Sequence, residues 1–165
     1  MSRIIHLDPF DPASVQAAIK EIEDYKKWLE GKARELVKRL ADMGVVNVSL
    51  GFARAVYTGD KDVDVTVEQR DANTYAIVAS GETVLFLEFG AGVTYGYGHP
   101  NPTVDGTAMG PGTYPSDKGH WNDPKGWWIP GGGHTYGNPP SMTMYQTGKD
   151  LRENLEQIAK EVLSK

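Results

Sequence analysis

Glycine and proline are concentrated between Gly90 and Pro140, and this concentration limits where a folded core can form. The stretch holds 13 of the 19 glycines and 8 of the 10 prolines, and none of it has the apolar periodicity of a helix or a strand. A connection of about 50 residues is far longer than usual, which predicts that the stretch is either functional or partly disordered. Its tryptophans and tyrosines argue against simple disorder, because disordered linkers are usually poor in aromatic residues. We predict a single domain over residues 1–165, with an ordered core at 13–90 and 138–165 and an interaction loop at 91–137.

The segment near the N-terminus predicts one long amphipathic helix, from about Ala13 to Met43. Asp11 is a good N-cap, and Pro12 suits the first helical position, where its missing N–H costs nothing. Gly44 is the residue type with which helices commonly end. The apolar positions recur at spacings of three, four or seven: Val15, Ile19, Ile22, Leu29, Leu36, Val37 and Leu40.

From Val45 to Ser80 the apolar residues alternate with polar ones, which is typical of strands with one solvated face. The pattern predicts strands at 46–52, 62–68 and 74–79, with turns at 58–61 and 70–73. Short connections between three strands imply an antiparallel meander whose apolar face the long helix covers.

The remaining ordered elements complete an α+β fold. Val84 to Gly90 is apolar, but it is too short for periodicity to separate a buried strand from a short helix. Ser141, after Pro139 and Pro140, is the expected N-cap of a C-terminal helix. We predict that this helix and the N-terminal helix pack on the small meander.

Composition excludes several classes of protein. No apolar run approaches the roughly 20 residues that span a bilayer, and the first ten residues lack a signal-peptide pattern, so we expect synthesis in the cytoplasm and no membrane partner. The absence of cysteine excludes disulfides and thiolate catalysis. A net charge of -5 disfavours a general nucleic-acid binder, because such proteins usually carry a basic face.

Motifs for catalysis, metal binding or phosphate binding are weak. His6, His99, His120 and His134 lack short metal-ligand spacings, and solvated loop histidines are the favoured interpretation. No Gly-x-Ser-x-Gly elbow is present, and the glycine runs at 90–92 and 131–133 lack the strand, helix and lysine of a phosphate-binding loop. We expect no enzyme activity, no cofactor and no resident metal.

Acidic residues alternate along the second predicted strand. Asp62, Asp64 and Glu68 fall on one face, where a solvated edge is a more common explanation than general acid–base chemistry.

Aromatic residues in the long loop are candidates for subunit contacts. Tyrosine and tryptophan supply large contact areas at small conformational cost, although they also fold back as satellite cores. A third interpretation stacks sugar rings on them, which would make the chain a carbohydrate-binding module or a cell-wall hydrolase. The loop aromatics are Tyr95, Tyr97, Tyr114, Trp121, Trp127, Trp128 and Tyr136.

The run Leu85-Phe86-Leu87-Glu88-Phe89-Gly90, followed later by a proline-rich entry to the last helix, resembles the minor tail-component family that includes tail-completion proteins of long-tailed bacteriophages. The family's aromatic residue and Glu-Phe-Gly are both present. Pro-Pro-Ser-Met at 139–142 replaces the more usual Arg-Pro-Phe, and the long loop departs from the shorter family connection.

This resemblance implies a structural subunit of the virion neck or tail, in a six-fold homo-oligomeric ring between the head connector and the tail tube. Its other partners would be phage neck and tail proteins, with DNA only passing through the channel. From their charge, and not from the resemblance, we expect Asp62, Asp64 and Glu68 to face that channel, where weak repulsion lets DNA pass. Glu88 would cap a backbone or pair with a basic residue at an interface, with an ordinary exposed glutamate as the alternative. Beside the loop aromatics, the expected assembly residues are Phe86, Glu88, Phe89, Gly90, Pro139, Met142, Met144 and Tyr145.

Overall fold

The computed structural model of the chain describes residues 4–92, 124–129 and 133–164. Long N-terminal and C-terminal helices and a two-stranded antiparallel sheet confirm the predicted α+β class. No helix among the described residues is long and apolar enough to cross a membrane. The elements in chain order are α1 (Pro12–Arg54), β1 (Asp64–Gln69), β2 (Tyr75–Ser80), α2 (Val84–Phe89), β3 (Trp127–Ile129), β4 (Gly133–Thr135) and α3 (Thr143–Leu163).

Helix α1 begins as predicted but continues well past Gly44. The Asp11 carboxylate accepts a hydrogen bond of 3.0 Å from the backbone N–H of Ala13, which confirms the N-cap. Gly44 is buried inside the helix, where a Cβ atom would meet the side chains of Ile77 and Leu151. The glycine therefore serves close packing, and the prediction that it ends the helix is wrong.

The first predicted strand, residues 46–52, forms the last turns of α1. Val48 and Phe52, four residues apart, are buried in the core, whereas Val46 and Leu50 on the other side of the helix are exposed. Alternating apolar residues here follow a helix with one buried face, so the strand prediction is wrong and the meander is reduced to a hairpin.

The hairpin of β1 and β2 follows the sequence prediction closely. Its register runs from Asp64 opposite Ser80 to Gln69 opposite Tyr75. The predicted turn at 70–73 closes through a hydrogen bond of 2.9 Å from the Arg70 N–H to the Thr74 carbonyl. The other predicted turn, at 58–61, connects α1 to β1 instead of two strands.

A hydrophobic cluster joins α1, the β1–β2 hairpin and α2. Val48 and Phe52 of α1 pack with Val84 and Leu87 of α2. The partly buried residues around them are Ala55, Tyr57, Val63, Val65, Ile77, Ala79 and Met144.

Helix α3 packs antiparallel to α1. Thr143 lies beside Gly51 and Leu151 lies beside Gly44, so residue numbers run in opposite directions along the contact. The antiparallel arrangement places the start of α3 next to the end of α1 and next to α2.

The stretch from Gly90 to Pro140 contains regular structure that its sequence does not predict. Trp127, Trp128 and Ile129 of β3 pair antiparallel with Thr135, His134 and Gly133 of β4. Ala91 also forms an isolated antiparallel bridge with Asn138. Thus the prediction of no strand is wrong for these residues.

Candidate functional site

The Glu88 carboxylate caps the start of helix α3. Its Oε2 atom accepts a hydrogen bond of 2.8 Å from the Met144 N–H, and its Oε1 atom accepts one of 3.0 Å from the Tyr145 N–H. The first N–H groups of a helix have no partner within it, so they favour a carboxylate. Glu88 is only 4% exposed. The backbone-cap interpretation is confirmed, and the alternative of an ordinary exposed glutamate is wrong.

Backbone hydrogen bonds extend the contact around Glu88. The Ser141 N–H donates to the Leu87 carbonyl at 2.8 Å, and the Met142 N–H donates to the Glu88 carbonyl at 3.1 Å. These carbonyls belong to the last turn of α2, where a helix leaves its acceptors unpaired. We define the α2–α3 junction as residues 86–91 together with 138–145.

Asn138 is a junction residue that sequence reasoning missed. Its Nδ2 atom donates to the Phe86 carbonyl at 2.8 Å, while its backbone exchanges two hydrogen bonds with Ala91. The side chain is buried and bridges the two segments. The only signal in the sequence is an asparagine before Pro139, which indicates a turn and not a contact 52 residues away.

The N-cap of α3 is Met142, so the prediction of Ser141 is wrong. Met142 has φ +52° and ψ +30°, a left-handed conformation that is uncommon outside glycine and asparagine, and its side chain makes no capping bond. The Ser141 Oγ atom instead pairs with the Thr143 Oγ1 atom at 2.8 Å. Glu88 supplies the cap that the local sequence does not.

The structure brings eight of the predicted assembly residues together in the junction: Phe86, Glu88, Phe89, Gly90, Pro139, Met142, Met144 and Tyr145. Gly90 has a φ of +80°, a positive value that glycine adopts readily. Their predicted part in subunit contacts stays a prediction.

A cavity of about 360 Å³ lies between the α1–β1 connection, the start of α2 and the β3–β4 hairpin. Aromatic side chains line it from all three segments: Tyr57, Phe86, Trp127 and Trp128. Asp60 and Glu82 contribute two carboxylates. A cavity lined by both aromatic rings and carboxylates suits a ligand that has one apolar face and one polar face.

The β3–β4 hairpin displays a row of rings on its exposed side. The Trp128 and His134 rings meet edge to face at 5.3 Å, and the His134 and Tyr136 rings do so at 5.0 Å. Trp128 is 76% exposed. The predicted loop aromatics Tyr95, Tyr97, Tyr114 and Trp121 lie outside the described residues.

The three acidic residues predicted to face a channel are all exposed. Asp64 and Glu68 belong to β1, and Glu68 forms an ion pair of 2.6 Å with Arg70. Asp62 precedes the strand, and its Oδ2 atom accepts from the Glu82 N–H at 3.0 Å. Contact with a channel stays a prediction.

The first half of α1 carries a further set of exposed apolar side chains, of which Ile19, Ile22 and Leu29 were predicted to lie on the apolar face of the helix. Tyr25 and Trp28 stack with ring centroids 5.6 Å apart. The exposed residues are Ile19, Ile22, Tyr25, Trp28 and Leu29, and we call this set the α1 apolar stripe.

Metal-ligating groups are not clustered in the part of the chain that the structure describes. No three histidine, aspartate or glutamate side chains there are placed to hold a metal ion. His99 and His120 lie outside that part.

The second half of α1 holds ionic groups whose pKa values depart from ordinary ones. Hydrogen bonding from Lys32, followed by the charges of Lys32 and Arg39, lowers the pKa of Glu35. Hydrogen bonding to Asp42 raises the pKa of Lys38. These pairs lie along one helix and stabilise it locally.

Comparisons of the chain with protein-family models, with curated proteins and with solved structures gave no match.

Proposed function

We propose that the chain is a structural virion protein of the neck or tail of a tailed bacteriophage, acting in tail completion or head–tail joining through ring assembly and subunit contacts. The observation that carries the proposal is the α1 apolar stripe. Five large apolar side chains exposed along one helix are a costly surface for a subunit that stays alone in water. Two of them, Tyr25 and Trp28, are of types enriched in interface hot spots.

The α2–α3 junction supports the same proposal. The Glu-Phe-Gly run and the entry to the last helix, which together resemble the tail-component family, are far apart in sequence. In the fold they form one hydrogen-bonded unit around Glu88. A rigid junction of this kind would hold the exposed Leu85 and the neighbouring β3–β4 hairpin in a fixed orientation toward adjacent subunits.

We place the acidic face of β1 toward the channel of the proposed ring. Asp62, Asp64 and Glu68 are exposed, and their charge would let DNA pass without adhering. A ring structure with basic residues along the lumen would contradict this placement.

Mass measurement tests the assembly proposal most directly. The full chain is measured alone over a range of concentrations and again with the portal and tail-tube proteins of the same virion. We expect a six-subunit species, alone or in the mixture. A chain that stays monomeric under both conditions would overturn the proposal.

The cavity beside the β3–β4 hairpin favours a second candidate function, glycan binding or cell-wall hydrolysis. Tryptophan and tyrosine rings next to Asp60 and Glu82 can stack on a sugar and bind its hydroxyl groups. Sedimentation with insoluble cell-wall polysaccharide tests this function. Binding by a monomer that is lost in Trp127→Ala would support it. No binding by the wild type would exclude it, and equal binding by the two proteins would exclude this cavity as the binding site.

A further inference from the structure

The apolar residues in the first half of α1 repeat with a spacing of seven. Val15, Ile22, Leu29 and Leu36 form the repeat, and Ile22 and Leu29 are 56% and 44% exposed. A repeat of seven keeps one face of a helix directed at a second helix that winds around it. The occupant of this face is therefore expected to be helical.

The exposed face continues the face that α3 covers further along α1. Gly51, which contacts Thr143 of α3, follows Val15 by 36 residues, or about ten turns, so both lie on the same side of the helix. Leu151 of α3 contacts Gly44 of α1, and the two helices are antiparallel. Leu163, the end of α3, follows Leu151 by 12 residues and therefore lies level with about Lys32, 12 residues before Gly44. Residues 12–31 thus carry the same face beyond the reach of α3, and this face is exposed at Ile22 and Leu29, whereas Val15 is partly buried and Ala18 is buried.

Charges beside the repeat favour a second copy of the same helix in a parallel orientation. When Ile22 is assigned to core position a of a heptad, Glu21 falls at position g and Lys26 at position e, the two positions that border the core. In a parallel, in-register pair, position g of one helix faces position e of the partner helix, five residues later in sequence. Glu21 therefore meets Lys26. In an antiparallel pair, position g would face g and position e would face e. Residues of like charge would then lie opposite each other and repel.

We propose that residues 12–31 of α1 pack parallel and in register against the same segment of a second copy. Ile22 and Leu29 face their counterparts across the contact, and Glu21 of each chain pairs with Lys26 of the next copy around the ring axis. The inference rests on the proposed function, since it identifies one contact within that self-assembly. In a ring whose rotation axis runs parallel to α1, the α1 helices of neighbouring copies are parallel to one another.

Single cysteines test the contact in the full chain, which has none of its own. Under mild oxidation, Leu29→Cys is expected to form a covalent dimer through identical positions. Lys27→Cys, on the opposite side of the helix, is the matched control and should remain uncrosslinked. Equal crosslinking of the two variants would show random collision and overturn the proposal.

Mixing Val15→Cys with Leu29→Cys tests the orientation. A parallel pair gives the two homodimers, whereas an antiparallel pair centred on Ile22 gives the mixed dimer. A predominance of the mixed dimer would overturn the parallel arrangement.

A charge exchange tests the flanking pair without altering apolar contacts. Glu21→Lys and Lys26→Glu should each weaken self-association by roughly tenfold, because the attraction between positions 21 and 26 becomes a repulsion at every contact. The double variant should restore it. Additive loss in the double variant would contradict the assigned register.

The outcomes separate this inference from the proposed function. A chain that forms rings but shows no Leu29 crosslink retains its assembly function and disproves the α1 contact. A chain that remains monomeric with its virion partners, and shows no crosslink, disproves both.

Discussion

The Oε2 atom of Glu88 accepts a hydrogen bond of 2.8 Å from the backbone N–H of Met144, across 56 residues of sequence. The carboxylate joins the end of α2 to the beginning of α3, on either side of the glycine- and proline-rich stretch. Because a side chain from α2 caps α3, the start of α3 depends on tertiary structure and not on its own first residues. Loss of this cap should therefore reduce the stability of the whole fold.

Replacement of Glu88 should destabilise the chain in proportion to the hydrogen bonding that is lost. Glu88→Ala leaves the two partly buried N–H groups of Met144 and Tyr145 without this acceptor, and we expect a loss of about 3 kcal/mol in the free energy of unfolding. Glu88→Gln keeps the shape but removes the charge and turns an amide N–H₂ toward a backbone N–H, for a loss of about 1.5 kcal/mol. Urea unfolding followed by circular dichroism measures both.

Glu156→Gln is the matched control for the Glu88 variants. Its side chain lies on α3 but is 80% exposed and pairs with Lys160 on the same helix. We expect a change within about 0.5 kcal/mol. Glu88→Gln with an equally small effect would show that the cap contributes little.

The fold elements that sequence predicted correctly depend on neighbouring residues. Asp11 and Pro12 start α1 through their own backbone conformation, and the turn at 70–73 closes on residues beside it. The class α+β follows from such local signals. Val84–Phe89, which periodicity left undecided, is helical.

The predictions that failed depend on contacts between distant segments. Gly44 does not end α1 because Ile77 and Leu151 pack against it, a context that the glycine alone does not reveal. Ser141 is not the N-cap of α3 because Met142 occupies that position and Glu88, from α2, accepts the hydrogen bonds of the first N–H groups. Glu88 itself was identified, since Glu-Phe-Gly marked it, but Asn138 carries no comparable motif.

Asn138 should be intolerant of exchange for aspartate. Its Nδ2 atom donates to the Phe86 carbonyl, and Asn138→Asp would place a buried carboxylate oxygen against that oxygen. We expect a loss of about 3 kcal/mol, measured by urea unfolding at pH 7. Asn154→Asp is the control, because Asn154 makes the same type of bond, at 2.8 Å to the Asp150 carbonyl, on an exposed surface. Similar losses for both variants would contradict this account.

The turn between β1 and β2 should give the chain a pH dependence at acidic pH. Hydrogen bonds from the backbone of Asn73 and the side chain of Thr74 hold the pKa of Asp71 below its ordinary value. A carboxyl group with a lowered folded-state pKa stabilises the fold above its unfolded pKa, and this contribution is lost as the pH falls through the folded value.

The wild type should therefore exceed Asp71→Asn in stability at pH 6, and the difference should shrink as the pH falls below about 4. Urea midpoints at several pH values measure the difference, and an NMR titration follows the carboxyl group directly. A titration midpoint at or above the ordinary value of 3.8 would refute the assignment.

Two glycines of α1 should respond to alanine in opposite directions. A Cβ atom at Gly31 would meet nothing within 4 Å, so Gly31→Ala should raise the free energy of unfolding by about 1 kcal/mol through helix propensity. At Gly51 the Cβ atom would overlap the Thr143 side chain, which is buried and held by Ser141. That overlap should exceed the gain in propensity and leave Gly51→Ala about 1–2 kcal/mol less stable. Thermal unfolding of both variants beside the wild type measures the contrast, and stabilisation by both would show that α1 and α3 are not in the close contact described.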